Sequence, residues 1–494
     1  MTFDLNFDAA IRDAFRDASH DRNPLHLDAA YATRTQFGQP INYGICGVLA
    51  ALGGWAAGRN VTLRQFRVRF ERPLLYNTAY AVTFSEKGND AKIRIASGTT
   101  IHVSISLSAE WRDARESAQP HGASAFVPLT EARTDAPGGA YAGFAGPIDF
   151  GADPAAIDHL LSLVGLADGQ IPHAQVLFLL WSSYFVGMQV PGRQALYSEL
   201  TFNFDAGTNF PAGSRIDEIQ FDDRFNRVII TGHLSETASF QIGAFARPLP
   251  VNTELDEIRG HVLTPGLFKD RSVMISGGTR GFGEAITKAI LLQGGKTGAN
   301  CRASADDAQR LARELEGYPF RTYRGDVGDV ATADSIMRNA AADFGSIDVC
   351  ICNASPPIEA KKFSDLGVES FNRFIARSLA PTVGLVSAFL KNAPDGAMAV
   401  LISSVYVADT PRDFAHYAAA KAAQENLFEN LAREYPKQRF MVARLPKILT
   451  DQTNLVFDRD PPARAAAVAV ALARAIAAFP AQSNFLHTTI RADR

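Results

Sequence analysis

The sequence predicts an α+β N-terminal half built from two similar helix-and-sheet units, followed by an α/β doubly wound parallel sheet. Three observations carry this prediction. Val273–Gly283 reads VMISGGTRGFG, which is an apolar strand, a glycine turn and a helix start. Beyond it, short apolar strands alternate with helical stretches, the order of a parallel sheet covered on both faces. Before it, an apolar helix followed by alternating strands occurs once and then again at matching spacing.

The chain has 494 residues and a net charge of −3. That length exceeds what one hydrophobic core supports, so the expected division is 1–115, 116–250, a connection at 251–270, and 271–494. The charge balance lacks the basic excess of a nucleic-acid binder. The acidic start MTFDLNFDAA has none of the regions of a signal peptide. The longest apolar run, Val176–Leu180 with its neighbours to Met188, is broken by Ser182 and Ser183, so no membrane span and a cytoplasmic location are expected. Four cysteines, Cys46, Cys301, Cys350 and Cys352, suit a reduced compartment. Cys350 and Cys352 alternate along an apolar strand and read as buried small side chains rather than metal ligands.

In the first unit, helical Ala9–Ala18 is followed by Asp21-Arg22-Asn23-Pro24-Leu25-His26. Asn23-Pro24 forces a turn that sets Asp21 and His26 on either side of it. An aspartate and a histidine brought to one point can share one water or one Cα proton, which is what adding or removing water beside a thioester carbonyl requires. The plainer alternative is a helix cap at Asp21 and a surface histidine. Phe37-Gly38 then leads to Ile41-Asn42-Tyr43-Gly44 and an apolar helix, Ile45–Ala57; Gly44 can bring a backbone N–H at that helix start to an acyl oxygen. Strands at Leu63–Phe70, Tyr80–Phe84, Lys92–Ala96 and Ile101–Trp111 complete an antiparallel sheet around the helix, the hotdog arrangement.

This segment resembles the MaoC-type (R)-specific enoyl thioester hydratases. The family pattern is matched at Asp21, Asn23, Pro24, Leu25, His26, Asp28, Phe37, Gly38, Ile41 and Gly44. The resemblance implies that Asp21 and His26 are the acid/base pair and that Gly44 supplies the oxyanion N–H. Tyr43 stands where the family usually has histidine, and the family's further serine has no match around Val61.

A Pro/Gly/Ala-rich passage, Gln119–Gly146, reads as a linker or long crossing loop. After it Ile171-Pro172-His173-Ala174 echoes Ile41–Gly44, an apolar helix follows at Val176–Val190, and Leu200, Phe202 and Phe204 repeat the register of Phe66, Val68 and Phe70. Strands at Arg215–Phe221, Arg227–Gly232 and Ala238–Phe245 close the unit. Two such units predict a double hotdog. The second has no Asp…Asn-Pro-x-His upstream of its helix; Asp158 and His159 sit in a helix, Pro154–Leu163, at the wrong spacing. His173 reads as structural and the unit as a non-catalytic partner that shapes the acyl tunnel.

In the third segment, strands are expected at Ser272–Ser276, Lys296–Asn300, Phe320–Arg324, Ile347–Cys352, Ala399–Ser403 and Arg439–Arg444. Between them lie helices such as Glu284–Leu292, Asp306–Leu315, Ala333–Phe344 and Tyr417–Glu434, which makes a Rossmann-type sheet. Glycines at Gly277, Gly281 and Gly283 let the backbone approach a phosphate at a helix N-terminus.

The segment resembles the short-chain dehydrogenase/reductase family over nearly its whole length. Ser276, Gly277, Gly278, Thr279, Arg280, Gly281, Phe282 and Gly283 match the glycine motif; Asp326-Val327 fits the adenine-contacting aspartate; Asn353-Ala354 matches the middle of Asn-Asn-Ala-Gly. Ser404, Tyr417 and Lys421 match the Ser and Tyr-x-x-x-Lys triad at the family's spacing. The resemblance implies that Ser404 holds the substrate oxygen, that Tyr417 gives it a proton, that Lys421 lowers the tyrosine pKa, and that Tyr417 and Lys421 also meet the cofactor. Arg302 after the second strand has no acid beside it, and Arg280 adds a second guanidinium, which favours NADP(H) over NAD(H). Ser378 stands at the family's helix asparagine, Pro446-Lys447 replaces the usual Pro-Gly, and Ser483–Arg494 lacks the common Asp-Gly-Gly ending.

Together the two resemblances imply a 3-oxoacyl thioester reductase and a 3-hydroxyacyl thioester dehydratase in fatty-acid-like or polyketide synthesis. The substrate would ride on acyl carrier protein or CoA, which Arg64, Arg67, Arg69 and Arg72 could meet, with a solvated strand face as the plainer alternative. Three matters stay open: the oxidative direction, a hotdog half that only binds the acyl chain, and a homo-oligomer through the reductase domain.

Overall fold

The computed structural model describes residues 2–113, 126–134, 141–167, 169–205, 208–262, 265–458 and 460–491. Of the expected linker Gln119–Gly146, residues 119–125 and 135–140 lie outside the described residues, as do 492–494 of the C-terminal stretch. The chain divides into two compact units, one of Met1–Thr33, Gln39–Leu249 and Leu455–Phe457, the other of Arg34–Gly38, Pro250–Asn454 and Asp458–Arg494.

The first unit runs β1 (Thr2–Leu5), α1 (Ala9–Ser19), α2 (Pro24–Leu27), α3 (Ala29–Thr33), α4 (Gly44–Trp55), β2 (Asn60–Phe70), β3 (Tyr80–Lys87), β4 (Asp90–Ser97) and β5 (Thr100–Arg112). It continues with β6 (Gly146–Pro147), α5 (Pro154–Leu163), α6 (His173–Tyr184), β7 (Ala195–Asn203), β8 (Arg215–Asp222), β9 (Arg227–His233) and β10 (Ser239–Ala246). One ten-stranded sheet has the order β1-β3-β4-β5-β2-β7-β10-β9-β8-β6. Each half repeats the order of the other about the β2–β7 seam.

That seam is antiparallel, with Phe66 opposite Phe202 and Val68 opposite Leu200. The pairing maps onto itself when Phe66 is matched with Leu200 and Val68 with Phe202, which is the repeat read from spacing. Phe66 and Phe202 stack at 4.8 Å and 16°. Helices α4 and α6 are apolar all round and buried, because the sheet wraps them on one side and α1 and α5 cover them on the other. Residues Trp181, Phe178, Phe240 and Phe210 interlock in the second half of this core. The helix expected over Val176–Val190 stops at Tyr184; Phe185–Gln189 form a widened π turn.

The second unit contains α7 (Leu255–His261), β11 (Ser272–Ser276), α8 (Gly281–Leu292), β12 (Lys296–Cys301), α9 (Ala305–Glu314), β13 (Phe320–Arg324), α10 (Val330–Phe344) and β14 (Val349–Cys352). Then come α11 (Phe363–Leu390), β15 (Met398–Ser404), α12 (Tyr406–Asp409), α13 (Ala415–Glu434), β16 (Arg439–Leu445), α14 (Ala465–Ala477) and β17 (Phe485–Thr489). Seven strands pair in the order β13-β12-β11-β14-β15-β16-β17, all parallel. The order reverses between β11 and β14, so a crevice opens at their carboxyl ends.

Among the described residues, α11 alone has the length and apolarity of a membrane span. It is broken by Gly367 at φ 58° and puts Leu385, Val386 and Phe389 into the core beside the sheet. Residues 34–38, expected in the first unit, group with the second because Arg34 pairs with Asp307 at 2.6 Å and Asp451 at 2.7 Å.

The seam predicts a coupled stability effect. Phe66→Ala and Phe202→Ala should each cost about 3–5 kcal/mol in denaturant unfolding. A double-mutant cycle should return a coupling of about 0.5–1.5 kcal/mol, the stacking term; zero coupling would show that the two rings do not pack on each other.

Candidate active sites

In the first unit, Asp21 follows His20, which ends α1 in the left-handed conformation at φ 59°. The chain then turns through Asn23, whose side-chain oxygen caps α2 by accepting from Leu25 N at 3.0 Å. Asn23 Nδ2 donates to the carbonyls of Gly187 (2.7 Å) and Gly192 (3.0 Å), tying this turn to the second repeat. Asp21 is buried, 1 % exposed. Ser183 Oγ, from α6, donates to Asp21 Oδ2 at 2.8 Å, and Asn23 N donates to Oδ1 at 3.1 Å. Gly187 presses on the same carboxylate: a Cβ there would lie 2.5 Å from Asp21 Oδ1.

His26 sits one turn along, on α2. Its Nδ1 is 2.8 Å from the Ile41 carbonyl, which can only accept, so Nδ1 carries the proton and Nε2 the lone pair. Tyr43 joins the two groups. Its hydroxyl donates to the Asp21 carbonyl at 2.8 Å, and its ring lies 3.9 Å from the His26 ring. The aromatic at the family's histidine position is thus a brace for the pair. Gly44 opens α4 with no side-chain cap, so its first-turn N–H groups are available to an acyl oxygen. Phe70 packs where a Cβ on Gly44 would be, at 2.7 Å.

Burial moves the two acid/base groups in opposite directions. Burial pushes the Asp21 carboxyl up to about 7, against the hydrogen bonds from Ser183 and Asn23. Burial brings His26 down to about 4, against its bond to Ile41. The Ser183 contact is not legible in the sequence, where no serine near Val61 matches the family's: it comes from the central helix of the second repeat.

In the second unit, β11 ends at Ser276 and the glycine turn follows, with Gly277 at φ 62° and Gly281 at φ 55°. A Cβ on Gly283 would lie 1.9 Å from the Gly277 carbonyl. The turn is therefore closed tightly enough to leave the α8 N-terminus facing the crevice, a cradle that suits a dinucleotide pyrophosphate. Asn353 and Ala354 line its other side. Asn353 Nδ2 donates to the Ser276 and Gly277 carbonyls at 3.2 and 3.1 Å, and both backbone N–H groups donate to Ser276 Oγ. Thr279 is buried in the turn. Phe282 and Val327 are core residues, so each offers the cofactor only its backbone.

Asp326 Oδ1 accepts from Gly328 N at 2.9 Å, and Oδ2 lies 3.4 Å from Arg302. Arg302 is exposed, and two residues expected at the adenosine end thus already face each other. Arg280 caps α8 at its backbone and feels the charges of Asp307 and Asp451.

The triad lies at the carboxyl end of β15 and on α13. Ser404 Oγ accepts from Tyr406 N at 3.2 Å and bonds the Tyr417 hydroxyl. Lys421 Nζ donates to the Ile402 carbonyl at 2.7 Å and stands 6.0 Å from the Tyr417 ring centre. Burial pushes the Tyr417 phenol up to about 12, with Ser404 pulling it back. The Lys421 ammonium, expected to lower the phenol, is turned to the Ile402 carbonyl. Burial also brings Lys421 itself down to about 8. Ser378 is buried and donates to the Phe374 carbonyl at 2.8 Å.

Two family models match the chain: MaoC like domain over residues 8–106 and short chain dehydrogenase over residues 271–459. The chain thus carries a MaoC-like dehydratase-type domain and an oxidoreductase domain of the short-chain dehydrogenase kind. Among curated relatives, 3beta-hydroxysteroid dehydrogenase 1 of Eggerthella lenta is 29% identical over 206 residues, 40% of this chain and 78% of that protein. The NADP-dependent mannitol dehydrogenase of Alternaria alternata is 26% identical over 176 residues, 34% of this chain and 66% of that protein. A short chain dehydrogenase from Burkholderia cenocepacia solved in complex with NADP is 20% identical, covering 45% of this chain and 97% of its own, with a TM-score of 0.41.

Two predictions follow from these geometries. Ser183→Ala removes a bond that favours the ionised carboxylate, so Asp21 should titrate higher; the alkaline limb of the first site's pH–rate profile should move up from near 7, and an unmoved limb would contradict the contact. Gly283→Ala should abolish fluorescence-detected binding of NADPH while leaving the unfolding transition of the first unit in place, because the added Cβ meets the Gly277 carbonyl.

Proposed function

We propose that the chain reduces a 3-oxoacyl thioester with NADPH to the (3R)-3-hydroxyacyl thioester and then dehydrates it to the trans-2-enoyl thioester, in fatty-acid-like or polyketide synthesis in the cytoplasm. The observation that carries this reading is that Asp21, which is buried, and His26 are held on one turn and braced by Tyr43, whose hydroxyl bonds the Asp21 carbonyl and whose ring lies against His26. Between about pH 4 and 7 the pair holds one proton, and that proton sits on Asp21. Neutral His26 Nε2 is then the base for the Cα proton, and protonated Asp21 is the acid for the departing hydroxyl. The N–H groups at Gly44 receive the charge that builds on the thioester oxygen. This is the microstate that dehydration uses.

In the second unit, Ser404 holds the 3-oxo oxygen and Tyr417 protonates it. A nicotinamide supplies the hydride when bound. A phenol held near 12 keeps its proton at neutral pH, which fits an acid working in the direction of reduction. Arg280 and Arg302 support the 2′-phosphate of NADPH. Of the four arginines considered for carrier or CoA, Arg64 and Arg67 are engaged by Glu110 and Glu199, while Arg69 and Arg72 are exposed. These two are the cations proposed for the carrier.

The test is mass spectrometry of products from NADPH and 3-oxoacyl thioesters, on CoA and on carrier protein. Tyr417→Phe should slow NADPH consumption by about 10²–10⁴-fold. Asp21→Asn and His26→Ala should each leave reduction intact and let the 3-hydroxyacyl product accumulate. Enoyl product formed at the wild-type rate by both of those variants would remove the dehydratase assignment.

A further inference from the structure

A guanidinium far from the glycine motif in sequence is built into the mouth of its cradle. Arg34 belongs to the second compact unit and stands 273 positions before Asp307 in the chain. Its Nη1 donates to Asp307 Oδ1 at 2.6 Å and its Nε to Asp451 Oδ2 at 2.7 Å. Its Nη2 donates to the Val251 carbonyl at 3.2 Å and to Asn252 Oδ1 at 2.9 Å. The other oxygen of Asp451 accepts from Val251 N at 2.7 Å. One side chain thus joins the stretch before α7, the first turn of α9 and the loop after β16. Arginine suits this position because its planar fork serves several acceptors at once. The Arg34 and Asp307 side chains are 15 % and 13 % exposed and Asp451 6 %, so little water screens the cluster.

The cluster lies beside Arg280. Helices α8 and α9 are locked together by Arg310 Nη2, which donates to Glu284 Oε2 at 2.6 Å. One turn back from that pair stand Arg280, whose carbonyl accepts from Glu284 N at 3.2 Å, and Asp307. The loop that carries Asp451 also reaches the start of α8: Thr450 Cγ2 lies 3.8 Å from where a Cβ on Gly281 would be. Burial brings the Arg280 guanidinium down, and the charges of Asp307 and Asp451 act against it. At this mouth two guanidinium groups therefore meet two carboxylates. Without Arg34, two carboxylates would act on Arg280 and would repel an arriving phosphate.

We propose that Arg34 is a specificity-determining residue of the cofactor site. By engaging Asp307 and Asp451 it balances the charge beside Arg280, so that the 2′-phosphate of NADPH is accepted. It also keeps the Asp307 carboxylate from taking the ribose 2′-hydroxyl of NADH. The assignment rests on the NADPH reading given above. It gives a chemical reason for an arginine that precedes the nucleotide-binding strands to lie among the loops at their carboxyl ends.

The test is fluorescence titration of the full chain with NADPH and with NADH, without substrate. Arg34→Met should raise Kd for NADPH about tenfold and leave Kd for NADH little changed. Adding Asp307→Asn and Asp451→Asn to that variant removes the two charges and should recover most of the lost NADPH affinity. Equal weakening of both cofactors in Arg34→Met, or no recovery in the triple variant, marks a structural role and overturns the proposal. Asp307→Asn alone keeps Arg34 in place and decides the matter where Arg34→Met does not fold. It should bind NADPH at least as tightly as the wild type; weaker binding of either cofactor would make Asp307 a cofactor ligand and overturn the proposal. A wild-type chain that binds NADH as tightly as NADPH sinks the cofactor reading, whatever the variants do. A wild type that prefers NADPH, with Arg34→Met keeping that preference, overturns the role of Arg34 alone.

Discussion

The carboxyl group of Asp21 has to be taken out of water, and the catalytic repeat cannot do this by itself. Ser183 and the glycine at 187 come from the second repeat, as do the carbonyls that hold Asn23. They reach Asp21 because β2 and β7 zip the two repeats into one sheet and lay α4 and α6 in a common core. Desolvation then outweighs the two hydrogen bonds that favour the anion, so the carboxyl is pushed up to about 7. The repeat without an acid/base pair therefore supplies the contacts that bury Asp21. It also explains why position 187 is glycine, since any side chain there would displace the carboxylate.

Burial acts differently in the second unit. Tyr417 and Lys421 are both desolvated, and each is driven toward its neutral form, one up and one down. Lys421 leans on the Ile402 carbonyl at the end of β15 rather than on the phenol. The site thus stores its proton on tyrosine and keeps an ammonium that releases a proton easily. That combination suits delivery of a proton to a developing alkoxide.

Much of this was legible in residue order. The Asn-Pro turn, the glycine motif and the Ser…Tyr-x-x-x-Lys spacing each specify local backbone geometry, which sets Asp21 and His26 on either side of one turn and Tyr417 and Lys421 on one helix with Ser404 bonded to the phenol. The repeat was readable because its register obeys the β2–β7 ladder. What could not be read were contacts made by non-local pairing. Ser183 looks like an interruption in an apolar helix until the two repeats are folded together. Strand β17 is a short, half-exposed edge strand, and α14, Ala465–Ala477, is apolar throughout except for Arg474, so neither is set off by the residue order. The charge behaviour of Tyr417 also escaped, since helical spacing says that Lys421 is near but not which oxygen it binds.

The most direct test is the titration of Asp21 itself, read by isotope-edited infrared difference spectroscopy of the carboxyl band against an Asp21→Asn reference. A midpoint near 7, with the acid form dominant at pH 5, is the predicted result. A carboxylate already ionised at pH 5, titrating in the ordinary aspartate range of about 3.9, would contradict a proton held on Asp21 by the second repeat, and with it the direction of the chemistry assigned to the first site.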